Sequence, residues 1–87
     1  MAWKIILAPS ARKDMRDIPA GNLKNIGEAL NRLAEDPPKQ DIKKLQTRFE
    51  QWRLRVGHWR VRFKFLKSVH TIEVLRVLPR GSAYRDL

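Results

Sequence analysis

Apolar and basic residues alternate along residues 52–65, the pattern typical of β-strands that bury one face. Gly57 and His58 interrupt the alternation and supply a place where the chain can turn. The stretch therefore predicts a β-hairpin, with one strand at 52–56 and the other at 59–65.

Two further strands are predicted from short apolar runs. Residues 3–8, WKIILA, are rich in residue types that favour strands, and Pro9 stops the run. Residues 70–78 are more continuously apolar, as expected of a central strand with both faces covered, and Pro79 ends them.

Two amphipathic helices are predicted between the first strand and the hairpin. Ser10 is a residue type that caps helix N-termini, so it predicts the start of a short helix, which Pro19 and Gly21 interrupt. Asn22 predicts the start of the second helix and Pro37 its end. Apolar residues recur on one side of each helix, at Ala11, Met15 and Ile18 in the first and at Leu23, Ile26, Leu30, Leu33 and Ala34 in the second.

The predicted element order is β-α-α-β-β-β, which indicates an α+β fold. The N-terminal strand and a three-stranded antiparallel meander form one sheet, the helical hairpin packs on one face, and the other face is bare. The polar residues 39–50 are predicted to be a loop that leads into the hairpin. A chain of 87 residues supports one hydrophobic core, so residues 1–87 are predicted to form a single domain.

The positive charge of the chain is concentrated in its middle. The net charge is +10, from 19 basic and 9 acidic residues, and residues 39–67 carry ten of the basic and two of the acidic ones. Such a cluster creates a field that attracts polyanions, among which nucleic acid is the commonest in the cytoplasm. The alternative is a basic surface that only keeps the protein in solution.

The alternation places the basic residues of the hairpin on the sheet face that the helices leave bare. Like charges on neighbouring strands repel each other, so bound phosphate would stabilise them, and guanidinium groups bind phosphate through paired hydrogen bonds. The alternative, strongest for Arg62 and Lys64, is that the charged ends are only solvated. The basic residues of this face are Arg53, Arg55, Arg60, Arg62 and Lys64.

Aromatic residues could stack on bases, and their positions decide which of them can. Trp3, Trp52 and Trp59 share the apolar phase of their strands and are predicted to lie in the core. Tyr84 lies four residues after Arg80, past the last strand, where both could reach the rim of the sheet. From this spacing alone, Tyr84 is expected to fold back onto the core, and base stacking is the alternative.

Several chemistries are excluded or disfavoured by the composition. The chain has no cysteine, so it has neither a disulfide nor a thiolate metal site. His58 and His70 are far apart, and no carboxylate pair of a catalytic kind lies near them, so neither a metal nor a cofactor is predicted. The N-terminal apolar run is too short for a signal peptide or a membrane span, and we expect a cytoplasmic protein without a membrane association.

Two segments, LQTRFEQWRLRVGHWRVRF and VLRVLPRGSAYR, resemble the RelE/ParE toxins of type II toxin–antitoxin systems, and so does the predicted order of elements. The resemblance implies an endonuclease that cuts mRNA in the ribosomal A site without a metal, through attack of the ribose 2′-hydroxyl on the adjacent phosphate. The implied partners are the ribosome, mRNA and a cognate antitoxin whose acidic, partly disordered segment wraps the basic surface. The alternatives are a ParE-like inhibitor of DNA gyrase and a non-toxic nucleic-acid-binding module.

The resemblance also implies which residues are catalytic. Arg53 and Arg55 match two basic residues of one family strand, which are lysines in the best-known members, and Arg60 matches an arginine after the hairpin turn. Arg80 matches an arginine after the last strand, and Tyr84 matches a tyrosine that holds a base. Because arginine keeps its proton, Arg53 and Arg55 are expected to stabilise charge rather than act as general bases. The side chains expected to bind nucleic acid outside this set are Lys44, Arg48, Arg62 and Lys64.

Overall fold

Five strands and two helices make up the computed structural model, which describes residues 2–37, 41–47 and 50–84. The sheet has the order β1-β5-β4-β3-β2; β1 and β5 are parallel, and the other neighbours are antiparallel. The predicted α+β fold, with both helices on one face of the sheet, is confirmed. The elements are β1 (Lys4–Leu7), α1 (Pro9–Met15), α2 (Ala20–Glu35), β2 (Ile42–Lys44), β3 (Trp52–Val56), β4 (Trp59–Leu66) and β5 (Thr71–Pro79).

The second strand of the chain was not predicted, because residues 39–50 are mostly polar and were predicted to be a loop. β2 pairs with β3 so that Ile42 lies opposite Leu54, and the Arg55 amide extends the pairing by donating to the Asp41 carbonyl at 2.9 Å. Ile42 is the one apolar residue of this short strand, so periodicity cannot reveal it. The exposed edge of β3 supplies the partner that makes the segment a strand.

Both helices begin earlier than the sequence predicted. α1 starts at Pro9, whose fixed backbone angle suits a first helical position, and the Ser10 hydroxyl donates to the Leu75 carbonyl at 2.7 Å instead of capping. α2 starts at Ala20, so Asn22 lies inside the helix rather than at its cap. No helix in the described ranges is long and apolar enough to cross a membrane.

The hydrophobic core lies between the helices and one face of the sheet. Trp3 and Trp52 pack against Phe65, with ring centroids 5.0 Å and 5.6 Å apart, and Trp59 also packs against the core. The prediction that the three tryptophans pack with the core is confirmed, and each of them is partly buried. The fully buried large side chains are Ile26 and Leu33 from α2 and Leu54, Val61, Phe63, Ile72, Val74 and Val77 from the sheet.

A β-bulge in β5 lies where β1 ends on one edge of β5 and α1 begins, while β4 continues on the other edge. Arg62 pairs with Arg76 whereas Phe63 pairs with Val74, so Leu75 is the extra residue on β5. β1 ends its pairing at Val74, and beyond that point α1 lies against the open edge of β5. Side chains of the helix therefore bind backbone groups along the last part of β5: the Ser10 hydroxyl donates to the Leu75 carbonyl, and the Asp14 carboxylate accepts from the Val77 amide.

Candidate nucleic-acid interface

Four basic residues form a row across four adjacent strands, on the sheet face opposite the helices. Lys43 pairs directly with Arg53, Arg53 with Arg62, and Arg62 with Arg76. Directly paired residues project from the same face of a sheet, so the four side chains are neighbours. We call this set the basic row.

Asp41 orients two arginine side chains of β3. Its carboxylate accepts a hydrogen bond from Arg55 Nη2 at 3.3 Å, and its backbone carbonyl accepts one from Arg53 Nη1 at 3.2 Å. Arg55 remains exposed, and Arg53 is half-buried. Both guanidinium groups are thus oriented by a residue that immediately precedes β2.

Arg60 pairs directly with Arg55, which places it beside the basic row on the same face. Its Nη1 donates to the carbonyls of Gly57 and Trp59 at 2.8 Å and 2.9 Å. The guanidinium group is therefore held against the hairpin turn. Arg53, Arg55 and Arg60 share one face, as the period of two predicted.

The prediction of a fully bare basic face is wrong at Arg62. This residue is 4% exposed, and its Nη1 donates to the Ala83 carbonyl at 3.3 Å. The chain after β5 crosses the sheet there, which the alternation in β4 could not reveal. A phosphate group cannot reach a side chain with this little exposed surface, so Arg62 does not suit the direct nucleic-acid contact expected of it.

The segment after β5 brings Tyr84 back to the basic row. A 3₁₀ turn at Arg80–Ser82 follows β5, and Tyr84 remains 41% exposed rather than folding into the core. Its ring borders a cleft of about 390 Å³, which we call the Tyr84 cleft. The other residues that line this cleft are Lys43, Leu45, Gln46 and Arg53.

The exposed Arg80 stands at the start of the same turn. Its amide donates to the His58 carbonyl at 2.8 Å, so the turn that follows β5 is attached to the tip of the hairpin. Residues from the hairpin and from the end of the chain therefore meet at one side of the sheet.

Of the predicted site residues, Arg53 and Tyr84 line the Tyr84 cleft, whereas Arg55, Arg60, Arg80, Lys44 and Lys64 do not. Lys44 pairs with Trp52, so it projects from the helix side of the sheet, and its Nζ lies 4.0 Å from a carboxylate oxygen of Glu50. Lys64 forms an ion pair with Glu73 at 3.4 Å. Arg48 lies outside the described residues.

Lys43 and Gln46 line the Tyr84 cleft and were missed by the sequence reasoning. Lys43 follows the apolar Ile42, and this alternation could have indicated a short strand with Lys43 on its polar face. It was not used because residues 39–50 were interpreted as a loop. Nothing in the sequence pattern distinguishes Gln46. Within the described ranges, His, Asp and Glu side chains form no group that could hold a metal ion.

Comparison with known proteins identifies relatives along almost the whole chain. Residues 5–84 match the family described as the ParE toxin of the type II toxin–antitoxin system parDE. The candidate toxin RelE1 of Methanocaldococcus jannaschii is 32% identical over 89 residues, which covers 99% of each protein.

Solved structures with the same fold include toxins in complex with their antitoxins. The RelBE2 complex of Mycobacterium tuberculosis matches with a TM-score of 0.81 at 23% identity, covering 92% of this chain and 100% of the other. The archaeal RelE–RelB complex of Pyrococcus horikoshii gives 0.79 at 23% identity, covering 95% and 100%. The RelB–RelE complex of Methanococcus jannaschii gives 0.74 at 27% identity, covering 91% and 94%.

Proposed function

Because the chain belongs to the RelE/ParE superfamily of toxins of type II toxin–antitoxin systems, we propose that it is an endoribonuclease that cuts mRNA in the ribosomal A site. The observation that carries the proposal is the Tyr84 cleft, in which an exposed aromatic ring lies beside Lys43 and Arg53. An aromatic ring can stack on a base while neighbouring cations bind the backbone phosphate.

The proposed reaction needs charge stabilisation more than it needs a metal. The ribose 2′-hydroxyl loses its proton to water as its oxygen attacks the adjacent phosphorus, and the bond to the 5′-oxygen breaks as that oxygen takes up a proton, which leaves a 2′,3′-cyclic phosphate and a 5′-hydroxyl. Negative charge grows on the phosphoryl oxygens in the transition state, and fixed guanidinium groups stabilise it. We assign this role to Arg53, Arg55 and Arg80; Arg53 lines the Tyr84 cleft, and Asp41 accepts hydrogen bonds from Arg53 and Arg55.

Arg60 can offer only part of its guanidinium group to the RNA. Its Nη1 is occupied by two carbonyls of the hairpin turn, so the other N–H groups of its guanidinium are the ones that can donate to a phosphate oxygen. Its catalytic role stays a prediction.

Removing the Arg80 guanidinium tests the proposal. We expect Arg80→Ala to cut programmed ribosomes on the order of a hundredfold more slowly than the wild type, because a preorganised donor to the transition state is lost. Arg12→Ala is the matched control, since it removes the same charge from an exposed position on α1. Intact A-site mRNA after incubation with the wild type, or undiminished cutting by Arg80→Ala, would contradict the proposal.

Inhibition of DNA gyrase is the second candidate function. It is favoured by the match to the ParE toxin family, which spans residues 5–84. A supercoiling assay separates the two candidates: loss of gyrase activity with the wild-type protein, together with uncut mRNA on programmed ribosomes, would support the gyrase inhibitor.

The proposed partners include a cognate antitoxin as well as the ribosome and mRNA. Related toxins have been solved with RelB antitoxins, and a net charge of +10 suits an acidic segment. Acting on ribosomes would place the protein in the cytoplasm. Co-expression of the protein encoded by the adjacent gene should restore growth, and continued growth arrest would argue against that partner.

A further inference from the structure

Arg62 differs from the other basic residues of the hairpin because it is buried. It is flanked in β4 by the core residues Val61 and Phe63, but it projects from the opposite face of the sheet. There it stands between Arg53 on β3 and Arg76 on β5. Burying a guanidinium between two other cations is unfavourable, so its N–H groups need specific acceptors.

One of those acceptors is a backbone carbonyl from the end of the chain. Arg62 Nη1 donates to the carbonyl of Ala83, across a sequence separation of 21 residues. Ala83 is 1% exposed, and a buried carbonyl oxygen needs a donor as much as a buried guanidinium needs an acceptor. The contact therefore ties the end of the chain to the middle of the sheet.

Two of the contacts that attach the segment carrying Arg80 and Tyr84 are hydrogen bonds. The first is the hydrogen bond from the Arg80 amide to the His58 carbonyl, and the second is the contact of Ala83 with Arg62. The Ala83 carbonyl belongs to the peptide group that leads into Tyr84. The orientation of that peptide group sets the direction in which the Tyr84 side chain leaves the backbone.

We propose that Arg62 is a positioning residue for the RNA cleavage proposed above, on which this inference rests. Its guanidinium orients the peptide group between Ala83 and Tyr84, so that the Tyr84 ring faces the cleft and Arg80 stays beside the hairpin tip. Arg62 itself does not touch the RNA. An apolar side chain of similar length would fill the same space but would provide no donor to the Ala83 carbonyl.

Amide hydrogen exchange tests the positioning without any need for activity. We expect Arg62→Met to speed exchange at the Arg80 amide by on the order of tenfold or more, because the hydrogen bond that holds Ala83 is lost. The Leu54 amide in β3 serves as the internal control and should exchange as in the wild type. Arg62→Lys keeps a charged donor and should restore most of the protection.

Unchanged exchange at the Arg80 amide in Arg62→Met would overturn the proposal, whatever happens to activity. If Arg62→Met does not fold, Arg62→Gln makes the same comparison, since its amide keeps the polarity of the site but is too short to replace the guanidinium.

A double-mutant cycle with Tyr84 tests the consequence for cleavage. Arg62→Met should slow cutting on programmed ribosomes on the order of a hundredfold, and its effect should be clearly smaller in a Tyr84→Ala background, where only the positioning of Arg80 is left to lose. Lys24→Met, an exposed site on α2, controls for the loss of one positive charge.

Effects of Arg62→Met and Tyr84→Ala that simply multiply would overturn the positioning role. If the wild type does not cut mRNA at all, the proposed function fails, and the exchange experiment alone decides whether Arg62 orients the segment.

Discussion

Asp14 shows how a single side chain can complete the edge of a sheet. Its carboxylate accepts a hydrogen bond from the Val77 amide at 2.9 Å, at a position where β1 no longer covers β5. The same carboxylate accepts two hydrogen bonds from Arg76, at 2.8 Å and 3.2 Å. With its side chain only 13% exposed, Asp14 fixes both α1 and one end of the basic row.

Replacement of Asp14 should therefore cost more stability than an ordinary surface change. We expect Asp14→Ala to lower the free energy of unfolding by about 2–4 kcal/mol, because the Val77 amide loses its acceptor and Arg76 loses an ion pair. Urea denaturation measures the difference. Asp17→Ala, at an exposed position just after α1, is the matched control, and an equal effect of both changes would contradict this account of Asp14.

Two adjacent lysines provide a test of which face of the sheet binds RNA. Lys43 projects from the same face of the sheet as Arg53 and lines the Tyr84 cleft. Lys44 projects from the opposite face, the same one as Trp52. We expect Lys43→Met to slow mRNA cutting roughly tenfold through the loss of a phosphate contact, and Lys44→Met to have the smaller effect. The reverse order of effects in the same cleavage assay would place the RNA on the other side of β2.

At the scale of elements, the hairpin turn combines a backbone requirement with a role in holding the end of the chain. Gly57 has a φ of 57°, in the left-handed region where residues with a Cβ are strained. A Cβ at this position would meet no atom within 4 Å, so the cost of substitution is that of the backbone alone. The next residue, His58, supplies the carbonyl that binds the Arg80 amide.

We therefore expect Gly57→Ala to lower the free energy of unfolding by about 1–2 kcal/mol. Gly57→Asn is the matched comparison and should cost less, because asparagine tolerates the left-handed conformation better than alanine does. Thermal or urea denaturation of both variants measures the difference. Equal stability of the wild type and Gly57→Ala would show that the turn does not need this conformation.

The sequence predicted well the elements whose structure follows from the spacing of their own apolar and polar residues. The period of two in residues 52–65 predicted both strands of the hairpin and the shared face of Arg53, Arg55 and Arg60, because side-chain direction in a strand is a local property. β2 could not be predicted in this way, since its formation depends on the edge of β3.

The parts of the site that could not be predicted depend on contacts between distant residues. Arg62 is buried where it donates to the carbonyl of Ala83, 21 residues away, and the cleft of about 390 Å³ is lined by residues from β2, β3 and the segment after β5. The pairing of β1 with β5 likewise joins the two ends of the sequence. Neither the spacing of apolar residues nor the preference of a residue type for helix or strand shows which distant segments come into contact.

At the scale of the whole molecule, the fold separates two kinds of surface. The helices and the core occupy one side of the sheet, and the other side carries the basic row, Arg55, Arg60 and the segment with Tyr84. A polyanion bound to this second side would meet phosphate-binding groups and an aromatic ring together. The net charge of +10 adds a long-range attraction that should weaken as the salt concentration rises.

Removal of one oxygen atom from the mRNA shows whether the protein cuts it through the ribose 2′-hydroxyl. Ribosomes are programmed with an mRNA that carries either ribose or 2′-deoxyribose at the A-site nucleotide whose 2′-oxygen would attack, and the products of incubation with the wild-type protein are analysed at both ends. We expect the ribose message to be cut to a 2′,3′-cyclic phosphate and a 5′-hydroxyl, and the deoxyribose message to stay intact. An uncut ribose message, or cutting of the deoxyribose message at the same bond, would contradict the account.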